Sequence, residues 1–360
     1  MKPRFTFLLV GALLLTAAGM SFTLLTLRDQ ALGAGPAIED QRITVAAGSS
    51  LRTVFMQLHD KGLLPHPRLF ELYLRYAHPA TRGGLPAIKK GRYRFPPGLK
   101  PLDILEQLQQ GKVILEQFTL VEGWNFTQVR AALDALPVVE HTLAGKSDAD
   151  VMDALNQDGE FPEGQFAPDT YRFSEDTPDR EILQLAHDAQ QRNLEKAWQG
   201  RDEGLPLASA EQALILASVV EKETGLASER PRIAGVFLNR LRQGMRLQSD
   251  PTVIYGIRDH YDGNIRSRDL RTDTPYNTYT RTGLPPTPIA MPGKEAIWAV
   301  LHPERTDALF FVAIGDGSGG HFFSASLAEH NKAVRRYLDR LRHTIATPVP
   351  TPTPTPTPTP

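Results

Sequence analysis

The sequence contains no cysteine among its 360 residues, which excludes disulfides, thiolate metal ligands and a cysteine nucleophile together. It also lacks a charge imbalance. With 40 Lys and Arg against 41 Asp and Glu, the formal net charge is -1, so nucleic-acid binding through bulk positive charge is not expected. No basic patch is interleaved with aromatics. The 10 histidines form no HExxH and no pair at ligand spacing, so no metal and no other cofactor is expected. The GxSxG of a serine nucleophile is missing too. "GDGSGG" (315–320) is glycine-rich but lacks the Lys-Ser/Thr that completes a phosphate loop, and it reads as a hairpin turn.

Charge is absent in one more place. Phe5 to Leu27 is a 23-residue run without a charged side chain. As a helix it would measure about 34 Å, enough to cross a hydrocarbon core of ~30 Å. Lys2 and Arg4 precede it and would keep the short end in the cytoplasm. A cleaved signal peptide competes with this reading, with "LGAGPA" (32–37) as the small-residue site. Signal h-regions span only about 7–15 residues, which favours an uncleaved anchor. Either way, the rest of the chain is expected outside the cytoplasm.

The remainder has ordinary globular composition, 41% hydrophobic and 22% charged, and a length that suits two domains. Residues 28–40 read as a linker. Three stretches then share one layout: "TVAAGSSLRTV" (44–54), "RFPPGLKPLDI" (94–104) and "LVEGWNFTQV" (120–129). Each has an apolar strand end, a glycine, and an apolar helical position six residues later. Gly48, Gly98 and Gly123 suit a tight strand-to-helix turn. Small strand–helix units of this kind resemble the LysM module, which binds bacterial cell-wall glycan; a plain spacer is the competing reading. Residues 140–205 read as mostly helical, broken by "EGQFAPDTYRF" (163–173), an aromatic turn that reads as a packing plug. "LQSDPTVIYG" (247–256) and "TPYNTYTRTGLPPTP" (274–288) read as irregular loops. Residues 308–326 read as strand, turn and strand, and Leu327–His343 as a closing helix. The Thr-Pro repeat from Thr347 reads as an extended, disordered tail.

One stretch carries candidate chemistry. "LILASVVEKETG" (214–225) runs from apolar residues into Glu221-Lys222-Glu223. Ser209-Ala210-Glu211-Gln212 is a capping box, so the helix starts there, runs to about Thr224 and stops at Gly225. A second helix begins near Pro231 and ends at Gly244. Apolar neighbours and the negative end of a helix both raise a carboxylate pKa, as a general acid at neutral pH requires. The competing reading is that both glutamates simply emerge into water. The two lie about 200° apart around the helix, so they cannot serve the same face, and Glu223 reads as structural.

"LASVVEKET", "VFLNRLRQGMRLQSDPTVIYG", "YNTYTRTGLPPTPIA" and "GGHFFSASLAEHN" occur in this order. Together they resemble the endolytic murein transglycosylase family, also called YceG-like, over essentially residues 5–343. Met291 departs from the polar residue usual at that place in the family. The resemblance implies that Glu221 is the catalytic acid/base and that the substrate is the glycan strand of peptidoglycan. It implies internal cleavage of the β-1,4 bond between N-acetylmuramic acid and N-acetylglucosamine, giving a 1,6-anhydro end and terminating strand growth. It also implies peptidoglycan synthases as partners. Gln248, Asp250, Tyr276 and Asn277 are the expected substrate-binding residues of the cleft. Each competes with a loop-fixing role, since Asp before Pro and Asn both make local turn bonds.

The expected fold is therefore α+β: a cytoplasmic end (1–4), a transmembrane helix (5–27), a linker (28–40) and a small LysM-like subdomain (41–116). A connecting region (117–204), a mixed α+β catalytic domain (205–345) and the tail (346–360) follow. The expected location is the inner membrane, single-pass, with the bulk of the chain periplasmic. Two other functions remain open: a non-catalytic glycan-binding scaffold, and a muramidase-type hydrolase with Asp250 as second carboxylate.

Overall fold

The computed structural model describes residues 3–78 and 87–346, with side chains from residue 15 and up to residue 342. The Thr-Pro tail, Lys2 and the side chains of the first ten residues of the expected membrane span lie outside the described residues. The chain divides into two compact units. One is Met1–Gln117 with Arg172–Thr177; the other is Phe118–Tyr171 with Pro178–Pro360.

In the smaller unit, helix α1 (Pro3–Leu32) leads to strand β1 (Gln41–Val45), helices α2 (Leu51–Asp60) and α3 (Pro67–Tyr76), strand β2 (Gly91–Phe95) and helix α4 (Pro101–Gln110). The strands pair antiparallel with Ile43 opposite Tyr93. Alternation turns Ile43, Val45, Tyr93 and Phe95 inward against Val54, Phe55, Phe70, Ile104 and Leu108. Helix α1 extends past Leu27 to Leu32, so the expected linker loses its first five residues to helix. The end of α1 packs on α3 and α4, and Ala31 is buried. Among the described residues, no helix is long and apolar enough to cross a membrane. Leu15, Met20, Phe22, Leu24 and Leu25 of α1 are nevertheless exposed.

Strand β3 (Leu115–Thr119) leads into the larger unit. There follow α5 (Phe126–Asp134), β4 (Val139–Glu140), α6 (Asp148–Ala154), β5 (Thr170–Ser174), β6 (Thr177–Pro178), α7 (Asp179–Gln199) and α8 (Ala210–Glu223). Then come α9 (Arg230–Arg242), α10 (Asp250–Gly256), α11 (Ser267–Arg271), α12 (Lys294–Leu301), β7 (Phe310–Ala313), β8 (His321–Ser324) and α13 (Leu327–Ala346). The described strands pair as β1–β2, β3–β5, β4–β6 and β7–β8, so the fold is α+β with small sheets. The stretch 117–204 holds strands as well as helices. The 247–256 stretch is also more regular than its composition suggests. Pro251 sits in the first turn of α10 with Asp250, where a missing N–H costs nothing.

The three-fold layout holds in both units. Gly48, Gly98 and Gly123 have φ of 76°, 79° and 77°, the left-handed region that glycine tolerates. Val54, Ile104 and Val129, six residues after each glycine, are at most 1% exposed. The glycine turn thus sets which helical residue points into the core.

Helix α8 is the centre of the larger unit. Every residue from Ala213 to Val220 is buried, with α9 and α12 packed against it. Its N-cap is Ser209, whose hydroxyl accepts the Gln212 N–H at 3.2 Å. Its stop differs from expectation: Thr224 is the extended C-cap at φ -145°, and Gly225 is not left-handed. Replacing Ser209 by Ala should lower stability by about 1 kcal/mol in urea unfolding, because an N-terminal N–H loses its acceptor. An unchanged midpoint would refute that role for the cap.

Candidate active site

Helix α8 carries Glu221 at its last turn, and three other segments converge there. Arg230, at the start of α9, donates from Nη2 to Glu221 Oε1 at 2.8 Å. The Gly293 N–H, just before α12, donates to Oε2 at 3.0 Å. The same Arg230 Nη2 lies 3.3 Å from Oε2 of Glu122, which stands in the turn between β3 and α5. The side chains of Glu221 and Arg230 are 5% and 9% exposed; that of Glu122 is 42% exposed. Glu221 therefore does not emerge into water. Burial raises its pKa; the Gly293 N–H and Arg230 oppose the rise, while Glu122 and Glu295 add to it.

Local chain chemistry explains why these groups meet. Gly123 turns the chain after Glu122, and its N–H donates to the Met291 carbonyl at 2.9 Å. Met291 N–H returns a bond to the Trp124 carbonyl at 2.7 Å. The buried Ser218 hydroxyl accepts the Ile289 N–H at 2.9 Å and donates to the Ile215 carbonyl, tying the 289–293 segment to α8. The Pro292 carbonyl accepts from Gln190 Nε2 at 3.2 Å; Gln190 is fully buried on α7. Gly293 leaves room for the Glu122 carboxylate, which a Cβ there would push aside. Arg230 is placed by its neighbour Glu229, which accepts from His321 N–H at 2.9 Å and pairs with His321 Nδ1 at 2.7 Å. The "GGHFF" strand thereby sets the start of α9. Lys222 Nζ donates to the Gly123 carbonyl at 3.1 Å rather than screening the glutamates.

Glu223 faces other partners. It accepts from Ser249 Oγ at 2.5 Å, and its pKa is pushed up to about 7 by burial and, further, by Asp250, against the opposing effects of Ser249 and Arg240. Of the expected cleft residues, Asp250 bears on Glu223. Gln248 is exposed, with its backbone held at φ 51° by a bond from its N–H to the Thr278 carbonyl. Asp250 accepts from the Tyr279 hydroxyl at 2.6 Å. The Tyr276 hydroxyl pairs with Thr287 at 2.9 Å, and its ring sits edge-on to Tyr255. Asn277 corrects the expectation of a substrate contact. It is fully buried, and its amide nitrogen donates to the carbonyls of Asp269, Leu270 and Thr272 while its oxygen accepts the Tyr279 N–H. It clamps the loop, with no polar atom left to offer a sugar.

Sequence reasoning did not single out Arg230, Glu122, Gln190 or Glu163. One signal was available for Glu122. The residue before the turn glycine is Ala47 and Pro97 in the first two repeats, and a carboxylate only in the third. The 163–173 plug is real, with Phe166 stacked on Phe126 at 5.2 Å, but it also brings a buried acid. Glu163, 4% exposed, accepts from the Phe126 N–H at the start of α5 and from the Tyr255 hydroxyl. Burial pushes its pKa up to about 7.

Two further features flank the site or lie apart from it. A groove of about 510 Å³ begins at Pro231, Lys294 and Glu295, the residues just after those that hold Glu221, and extends to Lys196 and the half-exposed Trp298. Elsewhere, Asp134, His141 and Asp179 place ligand-type atoms within 4.8 Å of one another, a grouping no sequence spacing announces. Asp179 already accepts from Thr142, Leu143 and Arg180, so its oxygens are committed to the start of α7.

The pattern of the YceG-like family matches residues 43–336. The chain is similar to the endolytic murein transglycosylase of Bacillus subtilis, 31% identical over 313 residues, covering 82% of this chain and 84% of that one. The enzyme of that name from Streptococcus pneumoniae is 26% identical over 335 residues, and the match spans 58% of its length. A crystal structure of a putative YceG-like protein from Listeria monocytogenes is 30% identical, aligned over 82% of this chain and 99% of that one, with a TM-score of 0.49.

The acid Glu163 makes a pH prediction. Its folded pKa of about 7 exceeds the ordinary 4.5, so the folded state holds the proton more tightly. Stability should therefore be greatest below about pH 4.5 in this respect and fall as pH rises towards 7, by up to about 3 kcal/mol. Glu163→Gln keeps an acceptor for Phe126 and should remove that part of the decline in urea melts between pH 5 and 8. An unaltered slope would show that the carboxylate is not destabilised by burial.

Proposed function

The chain belongs to the YceG-like family, and from that premise we propose that it is an endolytic peptidoglycan lytic transglycosylase with Glu221 as its acid/base. The observation that carries this reading is a carboxyl sealed at the end of an apolar helix, its proton affinity raised by burial, beside an open groove. The bond cut would be the β-1,4 link between N-acetylmuramic acid and N-acetylglucosamine. Glu221 first gives its proton to the bridging oxygen as the C1–O bond breaks. The muramic C6 hydroxyl then attacks C1, and its proton passes to the Glu221 carboxylate, regenerating the acid. Water does not enter, and the product ends in a 1,6-anhydro ring. The internal hydroxyl has the high effective concentration of an intramolecular nucleophile, so a second carboxylate to activate water is unnecessary.

Arg230 and the Gly293 N–H support the second half of this cycle, since both stabilise the anionic carboxylate. The hydrolase reading with Asp250 gains no support. The charged groups that bear on Glu221 are Arg230, Glu122 and Glu295, whereas Asp250 bears on Glu223. The glycan would lie along the groove towards Trp298, whose ring offers a broad apolar face. The βααβ order of the smaller unit supports a LysM-like role in holding glycan. A 30-residue α1 with exposed apolar side chains supports an N-terminal anchor in the inner membrane, with the bulk of the chain outside the cytoplasm and near glycan synthases.

Mass spectrometry of products from un-crosslinked glycan strands tests the reading. The full-length chain should release strands with anhydromuramic ends, and Glu221→Gln should lower the rate by a factor of about 10²–10⁴. Reducing ends from the unaltered chain would sink the lytic route. Retained cleavage by Glu221→Gln would remove Glu221 as the acid, and glycan binding with no cleavage by either would favour a scaffold.

A further inference from the structure

Arg230 presents one nitrogen to two carboxylates, with Nη2 at 2.8 Å from Glu221 and 3.3 Å from Glu122. The guanidinium is nearly buried, and an arginine side chain is a cation with five N–H donors and no acceptor. A buried charge needs a partner at every stage of a reaction. Glu221 serves as that partner only while it is an anion. When it carries the proton for the leaving oxygen, its charge is gone. We propose that Glu122 is a positioning residue for the transglycosylase reaction: it takes over Arg230 whenever Glu221 is neutral and gives it back when Glu221 becomes an anion.

The inference rests on Glu221 being the acid/base, and it deepens that reading. Geometry supports it on three counts. The two contacts use the same nitrogen, so transfer needs only a small shift of one guanidinium. Glu122 is held in place by the Gly123 turn and its bond to Met291, so it does not have to be recruited. Gly293 leaves the space that Glu122 occupies, and a Cβ there would displace it. The other charges around Glu221 are Glu295 and Lys294 on α12, paired with each other at 3.8 Å, and Lys222 on its own helix, committed to the Gly123 carbonyl. None of these bonds Arg230 among the described contacts. Glu122 also adds negative charge near Glu221 and so favours its protonated form.

The test is the pH dependence of anhydro-end formation by the full-length chain. The alkaline limb of kcat/KM reports loss of the acid's proton. Removing the Glu122 charge should favour the Glu221 anion and move that limb to lower pH, with activity above neutrality falling roughly tenfold. Glu122→Gln and Glu122→Asp are compared, each checked for an unaltered thermal melt. Glu122→Asp keeps the charge and should restore the limb towards its original position. A rate that falls equally at all pH values, with the limb unmoved in Glu122→Gln, would overturn the proposal and leave Glu122 a structural residue. Should Glu122→Gln not fold, Glu122→Ser replaces it: it too removes the negative charge beside Arg230, and the limb should again move to lower pH. An unmoved limb there would equally overturn the proposal. If the unaltered chain forms no anhydro ends, or Glu221→Gln still forms them, it is the assignment of the reaction that fails.

Discussion

A buried guanidinium must be neutralised where it sits. Arg230 is 9% exposed, and removing one partner from a buried ion pair costs about 3–5 kcal/mol. That constraint draws together segments far apart in the chain: the turn after β3, the end of α8, the start of α9 and the start of α12. Each contributes one group to the same small volume. Glu221 and Glu122 supply negative charge, and the Gly293 N–H donates to the second oxygen of Glu221. The core helix α8 makes this arrangement stiff. Its eight consecutive buried residues fix the backbone that carries Glu221, and Arg230 and the Gly293 N–H hold the carboxyl.

Around this centre, buried polar side chains hold irregular backbone where regular structure cannot. Ser218 and Gln190 bind the 289–293 segment, Glu229 binds His321, and Asn277 binds three carbonyls of its own loop. Each satisfies backbone groups that would otherwise be buried without partners. The two glutamates of "EKET" consequently live in different environments. Glu221 faces a cation and a backbone N–H. Glu223 faces a hydroxyl and the loop carrying Gln248 and Asp250. Two residues apart on a helix, they were bound to separate, because each residue advances the helix by about 100°.

The repeats illustrate what local chemistry can specify. The apolar helical position six residues after each left-handed glycine is Val54, Ile104 or Val129, and all three are buried. Ser209 caps the start of α8 as expected, although Gln212 Oε1 accepts the Ala208 N–H in place of the second bond of a capping box, and the glycine-rich turn between β7 and β8 was equally legible. The reading of Asn277 as a substrate contact failed for a clear reason. Composition marks a loop rich in polar groups, but not whether those groups point outward or bond their own backbone. Residues 247–256 read as an irregular loop from composition, whereas Pro251 in a first turn is compatible with helix.

The sequence by itself determined the elements that depend on neighbours in the chain: strand–glycine–helix turns, caps, the apolar helix and the acid at its end. It also carried the ordered motifs that mark the family. Only the tertiary structure decided which charges meet. Glu122 and Arg230 are 108 positions apart, and nothing in local spacing says that one nitrogen will serve both Glu122 and Glu221. Periodicity and turn chemistry act over a few residues, while the pairing of buried charges is settled by packing across the whole unit.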